Sequence, residues 1–150
     1  MDEHIYKSHN KTLLLYHLVF PSKYRKKIFD DKIDEKLREV CIEISERYEI
    51  HFVEIGNDLD HIHLLVQSIP TITVANIVTV IKSITAKKIF KAFPKLKKEM
   101  WGSSLWTSGY YANTVGMYAS KDTIREYIKN QGNNEKDYKQ IHQAQLKFNL

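Results

Sequence analysis

The order of six hydrophobic segments constrains the fold of this chain more than any other feature of its sequence. Four segments are short and rich in β-branched and aromatic residues, as strands are, and two are longer with apolar residues at every third or fourth position, as helices are. In chain order they are a strand at 12–20, a helix at 31–48, strands at 50–55 and 61–69, a helix at 73–93 and a strand at 105–117. A further helix is predicted from Ser120 to Gln131, with Gly132 as its stop.

Local signals support these boundaries. Asp30 places a negative charge at the start of the first helix, where the helix dipole is positive. The second helical segment contains neither Gly nor Pro before Pro94, and it is too long for a strand. Gly56, Asn57 and Asp58 have the composition of a hairpin connection, so the second and third strands should pair antiparallel.

The β-α-β-β-α-β order predicts an α+β fold of the ferredoxin-like kind, also called RNA-recognition-motif-like, in which an antiparallel sheet carries both helices on one face. The C-terminal helix is an addition to that plan. A chain of 150 residues matches one domain of ordinary size, so we expect residues 1–150 to form a single domain. This fold hosts RNA binders, metal carriers and nucleases, so it does not assign a function.

Cysteine content and hydropathy exclude several classes of protein. Cys41 is the only cysteine, which excludes a disulfide framework and a thiolate zinc cluster within one chain. The longest apolar run, 13–20, is interrupted by His17 and is shorter than the roughly 18 residues of a membrane span. The N-terminus shows no signal-peptide pattern. We therefore expect a cytoplasmic protein without membrane association.

Positive charge is concentrated in two parts of the chain. The net charge is +5, but residues 21–29 and 82–98 together hold eleven basic residues and no acidic one. Residues 30–60 hold eleven acidic residues and four basic ones. Such segregation predicts a positive face that attracts a polyanion, nucleic acid first of all. The competing interpretation is a solvated, lysine-rich helix.

Two histidines of the predicted third strand are candidate metal ligands. His61 and His63 are two positions apart, so their side chains project from the same face of the sheet. Two neighbouring imidazoles can hold one divalent cation, whereas the alternative is a pair of surface histidines on a half-buried strand. Asp60, Glu54 or a residue from another element would be the third ligand.

The predicted C-terminal helix offers one such residue. Tyr127 and Gln131 are four positions apart and therefore share a helix face. The alternative is that Tyr127 is a core aromatic residue and Gln131 a surface residue at the helix end.

These motifs together resemble a known family. Residues 61–66 are similar to the HUH motif, in which two histidines flank a hydrophobic residue, and residues 127–131 are similar to the single-tyrosine motif of small HUH transposases. Those proteins are the single-strand DNA transposases of the IS200/IS605 group of insertion sequences. Three further stretches, at 16–27, 106–111 and 114–116, fit the same family in the same order. The turn at 107–109 departs from the serine-proline-serine-like pattern expected there.

The resemblance implies a mechanism and a set of partners. Tyr127 would be the nucleophile that forms a 5′-phosphotyrosine intermediate, and His61, His63 and Gln131 would bind Mg²⁺ or Mn²⁺. The substrate would be a single-stranded DNA hairpin at the end of an insertion sequence. The enzyme would be a homodimer whose active sites combine the histidine pair of one subunit with the tyrosine helix of the other.

Residues for DNA binding follow from charge and aromaticity. Lysines and arginines of the two basic segments would contact phosphates, and two aromatic residues near the last strand would stack on bases. The phosphate candidates are Lys23, Arg25, Lys26, Lys27, Lys82, Lys87, Lys88 and Lys91, and the stacking candidates are Trp106 and Tyr110. Their alternative roles are solubility and core packing.

Other functions remain open at this point. One is a domesticated or repeat-associated HUH single-strand endonuclease that does not mobilise its own gene. Another is a non-catalytic nucleic-acid-binding module of the same fold, although the third strand lacks the aromatic consensus of RNA-recognition domains. A third is metal-dependent hydrolysis without a tyrosine adduct.

Overall fold

The computed structural model describes residues 4–102 and 104–116 of the chain. Six strands, three α-helices and a 3-10 turn at Lys23–Arg25 make up this part of the chain. In order they are β1 (Ile5–Lys7), β2 (Asn10–Thr12), β3 (Leu14–Pro21), α1 (Asp31–Arg47), β4 (His51–Asp58), β5 (His61–Ser68), α2 (Val74–Ala92), α3 (Pro94–Glu99) and β6 (Tyr111–Val115).

Strands β4, β5, β3 and β6 lie side by side in that order, and every neighbouring pair is antiparallel. With α1 and α2 between them in the sequence, they form the predicted ferredoxin-like arrangement. The α+β fold class is therefore confirmed for the described residues. Strand β5 is central and is buried along its whole length. The predicted C-terminal helix lies outside the described residues.

The main core lies between one face of the sheet and the two long helices. Strand β5 contributes Ile62, Leu64 and Val66 to it, and β3 contributes Leu18 and Phe20. The helices supply their apolar stripes: Ile33, Leu37, Val40, Cys41 and Ile44 from α1, and Ile77, Val78, Ile81 and Ile89 from α2. Burial of these large side chains is the dominant stabilising term of the fold.

Side-chain caps fix where the two long helices begin. The Asp30 side chain accepts a hydrogen bond from the backbone N–H of Ile33 at 3.0 Å, and Thr73 Oγ1 accepts one from Asn76 at 3.1 Å. Each cap satisfies a backbone donor that has no partner within its helix. In α1, burial raises the pKa of the Cys41 thiol to about 12, so this thiol stays protonated.

The opposite face of the sheet carries the histidines. Because side chains alternate along a strand, His61 and His63 point away from the helices. Leu15 and Leu65 form a small second hydrophobic cluster on that face. His17 of β3 lies on it as well, since its neighbours Leu18 and Tyr16 face the core. The structure thus separates the packing face of the sheet from a face rich in imidazoles.

The hairpin between β4 and β5 is tighter than the sequence predicts. Gly56, Asn57 and Asp58 do not form the turn but continue β4, with Asp58 paired to His61. The turn consists of Leu59 and Asp60 alone. Two backbone hydrogen bonds to the Leu59 carbonyl, from Ile28 at 2.8 Å and Phe29 at 3.0 Å, hold this turn in place.

The predicted last strand at 105–117 is also shorter in the structure. Trp106 makes only an isolated bridge to Ser22, and β6 begins at Tyr111. Lys82 Nζ donates hydrogen bonds to the carbonyls of Thr107 and Gly109, both at 2.8 Å, so a side chain rather than a neighbouring strand satisfies these groups. This contact with α2 lies in the stretch just before β6, which the sequence assigned to the strand.

Two small elements were absent from the sequence prediction. The hairpin of β1 and β2 is polar and largely exposed, and α3 is a six-residue helix that begins at Pro94. Neither has the long apolar period that identifies a helix or strand from sequence. Across the two described stretches of chain, no helix has the length and apolar character to cross a membrane.

Candidate active site

His61 and His63 lie next to each other near the start of β5. Their ring centroids are 4.7 Å apart and their planes are nearly perpendicular, at 78°. The exposed fractions are 1% and 0%, so the two rings are buried although they face away from the main core. This placement favours a functional site over the alternative of two surface histidines. Strand β5 is hydrogen-bonded on both sides, which fixes the positions of both rings.

A carboxylate orients the first of these rings. His61 Nδ1 lies 2.6 Å from Asp60 Oδ1. Because an ionised carboxylate can only accept a hydrogen bond, the His61 proton must reside on Nδ1. The lone pair of the neutral ring is then on Nε2, the nitrogen that can bind a cation. Carboxylate–histidine pairs of this kind are common behind metal ligands in proteins.

Asp60 is itself held by an arginine. Arg25 donates to Asp60 Oδ2 from Nε at 3.1 Å, and its Nη2 lies 3.0 Å from the same oxygen. Burial raises the pKa of Asp60, but the hydrogen bond from His61 and the charge of Arg25 outweigh that effect, so its pKa lies below the usual range. Both carboxylate oxygens are thus engaged with donors. Asp60 is better placed to orient His61 than to bind a metal directly.

A second grouping of possible ligands exists at the same end of β5. Ligand atoms of Asp58, Asp60 and His61 lie within 4.8 Å of one another. Asp58 Oδ1 also accepts a hydrogen bond from the backbone of Leu59 at 2.8 Å. Both possible metal sites include His61. They differ in Asp58, which would be a ligand in this grouping but not in the site formed by His61 and His63.

A third histidine, His17, adjoins the pair from β3. Its ring is roughly parallel to that of His63, at 6.1 Å between centroids and 20° between planes, and it meets the edge of Tyr111 at 6.1 Å. His17 is 4% exposed, and its Nε2 has no hydrogen-bond partner within residues 4–102 and 104–116. In the sequence, His17 interrupts an apolar run and lies in the stretch 16–27 that fits the family, but it was not predicted as a site residue. A lone histidine in such a run was the available signal.

Burial keeps the imidazoles of His17 and His63 neutral. It lowers the pKa of His17 to about 4. Burial, together with the positive charges that His61 and His17 would carry, lowers the pKa of His63 to about 3. At pH 7 both rings therefore lack the extra proton, and binding a cation to His63 requires no proton release. Neutral imidazole nitrogens are typical ligands of divalent transition metals. With oxygen ligands beside them, they also fit a site for Mg²⁺ or Mn²⁺.

The basic residues predicted to contact DNA fall into two groups. Lys23, Arg25, Lys26 and Lys27 lie in and after the 3-10 turn, and of these Arg25 contacts Asp60. Lys87, Lys88 and Lys91 project from α2 and, with Arg47, line a groove between α1 and α2. Lys82 differs from the others because its Nζ bonds to two backbone carbonyls, and burial lowers its pKa.

The two predicted stacking residues lie in different environments. Trp106 is 3% exposed, packs against Phe20 and Phe29, and donates from Nε1 to Thr85 Oγ1 at 3.0 Å. This burial leaves no ring face on which a base could stack. Tyr110 is 44% exposed, and Lys82 Nζ lies 5.6 Å from its ring centre. Tyr127 and Gln131 lie outside the described residues.

Comparison with known proteins identifies relatives over most of the chain. The family of IS200-like transposases matches residues 10–131. The ISDra2 transposase TnpA of Deinococcus radiodurans is 29% identical over 122 residues, which is 81% of this chain and 86% of that protein. The transposase for insertion sequence element IS200 of Salmonella typhimurium is 28% identical over 134 residues, 89% of this chain and 87% of that protein.

A solved structure is similar as well. A protein of Deinococcus radiodurans R1 described as a transposase superposes with a TM-score of 0.69 at 29% identity, over 85% of this chain and 97% of that one. The stretch matched by the family contains the whole four-stranded sheet, the histidine pair and the positions of Tyr127 and Gln131. The chain belongs to the IS200-like transposase family, the IS200/IS605 group of HUH transposases, and is a transposase.

Proposed function

We propose that this transposase cleaves and rejoins single-stranded DNA at the ends of an insertion sequence through a 5′-phosphotyrosine intermediate on Tyr127. The observation that carries the proposal is the buried pair His61 and His63, with Nδ1 of His61 held by Asp60. A binding module needs no such pair, since phosphate contacts and stacking surfaces are sufficient for binding.

A divalent cation would be held by His61, His63 and Gln131. Two imidazoles and one amide oxygen accept Mg²⁺ or Mn²⁺, and the nitrogen ligands favour manganese. When bound, such an ion polarises the scissile phosphate and aligns it with the nucleophile. The contribution of the chain is to hold both rings in fixed positions, with His63 kept neutral by burial and His61 oriented by the Asp60 hydrogen bond.

Tyr127 would conserve the energy of the phosphodiester bond. Its phenolic oxygen attacks the phosphorus and loses its proton to water, the bond to the 3′ oxygen breaks, and that oxygen leaves as a free 3′-OH after taking up a proton. The 5′ phosphate remains on the tyrosine, and a 3′-OH reverses the reaction without ATP. A phenol, with a reference pKa near 10, is a better leaving group than an alkyl alcohol.

The active sites would be shared between the two subunits of a homodimer. Tyr127 and Gln131 of one subunit would face His61 and His63 of the other. A helix that can pass between subunits would allow both DNA ends to be cut and exchanged in one complex.

The proposal is tested by trapping the intermediate. The purified chain is incubated with single strands that carry candidate hairpins from its own flanking DNA, labelled at the 3′ end, with and without Mg²⁺ or Mn²⁺. On a denaturing gel, we expect label to migrate with the protein only when metal is present. Metal-dependent nicking without bound label would instead indicate hydrolysis, and binding without either would indicate a non-catalytic module.

Asp60→Asn is expected to weaken Mn²⁺ binding roughly 10- to 100-fold, the usual effect of losing the residue that orients a histidine ligand. Asparagine keeps the size of the side chain but can donate to Nδ1, which favours the wrong tautomer of His61. The affinity is measured by calorimetry, and the His61 tautomer is read from ¹⁵N shifts in the metal-free protein.

Asp58→Asn is the matched control for this prediction. Its effect should be small if His61 and His63 bind the cation. An equal loss in both variants, with the His61 tautomer unchanged in each, would place the cation on the Asp58 and Asp60 carboxylates instead.

Hairpin binding should weaken steeply with salt, because counterions are released as lysines neutralise phosphates. Replacing Lys87, Lys88 and Lys91 by glutamine should reduce the slope of log K against log salt by roughly 2, at about 0.7 for each phosphate contact on a single strand. Replacing Lys32 and Lys36 in the acidic segment is the control and should leave the slope unchanged. If both sets behave alike, the groove between α1 and α2 is not the DNA surface.

A further inference from the structure

Two aromatic rings stand out on the surface beside the candidate active site. Trp101 is 72% exposed and Tyr24 is 58% exposed. Their rings meet edge to face, with centroids 5.5 Å apart. They come from segments far apart in the sequence, the 3-10 turn and the end of α3. Large apolar rings that a fold leaves in water and brings together usually mark a binding surface.

The backbone at both residues is in an unfavourable conformation. Tyr24 has φ +61° and Trp101 has φ +55°, and Arg25 between Tyr24 and Lys26 has φ +53°. Bulky side chains seldom adopt this left-handed region, and such residues concentrate at binding and catalytic sites. Here the unusual backbone displays the rings rather than burying them.

Hydrogen bonds hold the two segments in this arrangement. Lys26 Nζ donates to the carbonyl of Glu99 at 2.6 Å, which joins the turn to the end of α3. The backbone N–H of Lys23 donates to the carbonyl of Leu105 at 2.8 Å, and that of Gly102 to Lys97 at 3.0 Å. The backbone that carries the rings is therefore held in place before any ligand arrives, which reduces the entropy lost on binding.

Positive charge surrounds the rings. Lys26 Nζ lies 4.0 Å from the centre of the Trp101 ring, and Lys23 Nζ lies 5.5 Å from that of Tyr24. Helix α3 adds Lys95, Lys97 and Lys98 close by in the chain. Exposed aromatic rings interleaved with lysines are typical of surfaces that bind single-stranded nucleic acid, where bases stack and phosphates pair with cations.

The position of this surface relates it to the histidine pair. Arg25 follows Tyr24 directly and bonds to Asp60, which in turn bonds to His61. We propose that Tyr24 and Trp101 form a stacking platform for an unpaired base of the single strand next to the cleaved phosphate. The identity of the strand as substrate rests on the proposed function; the platform itself rests on the exposure, backbone and charge described above.

Intrinsic fluorescence offers a direct test, because the chain has two tryptophans and Trp106 is 3% exposed. The metal-free full-length protein, in EDTA, is titrated with an oligothymidine of eight nucleotides. We expect saturable quenching of Trp101 emission. An abasic oligomer of equal length and charge, and a duplex, should quench little.

Variants separate stacking from simple hydrophobic contact. Trp101→Leu should weaken oligothymidine binding roughly 5- to 100-fold in fluorescence anisotropy, the effect of losing one stacked base. Trp101→Phe should retain most of the affinity. Trp101→Gly, which adopts a positive φ without strain, should behave like Trp101→Leu while melting no earlier than wild type. Tyr6→Ala removes a ring that is similarly exposed and also has a lysine nearby, and should have no effect.

Two results would overturn the platform. One is equal binding of the abasic and the thymidine oligomers, which would leave only the lysines as the contact. The other is unchanged affinity in Trp101→Leu and Trp101→Gly, as expected if this face binds a protein. Neither result depends on cleavage, since metal is absent. Conversely, if no tyrosine adduct can be trapped while Trp101 quenching persists, the proposed chemistry is refuted and the stacking platform is not.

Discussion

Replacing Tyr127 by phenylalanine is expected to abolish the covalent protein–DNA adduct and strand cleavage together, while hairpin affinity stays close to that of wild type. Phenylalanine keeps the aromatic ring but lacks the oxygen that attacks phosphorus in the proposed chemistry. In the proposed chemistry this oxygen alone forms the new bond to phosphorus, so activity should fall to the uncatalysed background. The measurement is the denaturing gel with 3′-labelled strands, beside a binding titration of the same samples.

Tyr138→Phe is the matched control, because Tyr138 also lies in the C-terminal part of the sequence and carries the same group. It should form the adduct at the wild-type rate. Adduct on Tyr127→Phe but not on Tyr138→Phe would identify Tyr138 as the nucleophile. Retained nicking by Tyr127→Phe without any adduct would establish metal-dependent hydrolysis.

The double change His61→Ala and His63→Ala is expected to reduce metal-dependent cleavage below about 1% of wild type, since losing even an orienting partner of a metal ligand costs 10- to 100-fold. The protein should still fold, because Ile62, Leu64 and Val66 on the other face of β5 keep the main core intact. Both rings are buried, so we also expect a loss of about 1–3 kcal/mol in the free energy of unfolding.

Cleavage, Mn²⁺ affinity and thermal unfolding are measured on the same preparation. His51→Ala, an exposed histidine of β4, serves as the control and should change none of the three. If the double variant is unfolded, or binds Mn²⁺ as wild type does, the two histidines have a structural role and the proposed metal site is refuted.

The parts of the fold that depend on local patterns were predictable. Helix α1 begins at Asp31 as expected because its cap and its apolar period are both encoded within a few residues. The parts that depend on distant partners were not. Lys82 bonds to Thr107 and Gly109 in the stretch before the last strand, and no local pattern indicates that a lysine 25 residues before Thr107 will do so.

The same distinction applies to the site. The spacing of His61 and His63 placed them on one face of a strand, which the structure shows. The contributions of His17 and Arg25 arise from packing between elements, which a sequence without pairing information does not reveal. Composition also cannot distinguish a buried ring from an exposed one. Trp106, predicted to stack on bases, packs in the core, whereas Trp101, which was not predicted as a site residue, is exposed.

The inert thiol of Cys41 makes this transposase convenient for labelling. Since that thiol is buried and stays protonated, maleimide dyes should not react with it. For labelling, the natural chain should therefore behave as if it had no cysteine. One cysteine introduced at an exposed site such as Ile42 would then carry a single fluorophore. Donor- and acceptor-labelled preparations could be mixed, and energy transfer between them would test whether subunits of the proposed homodimer associate and exchange before any DNA is added.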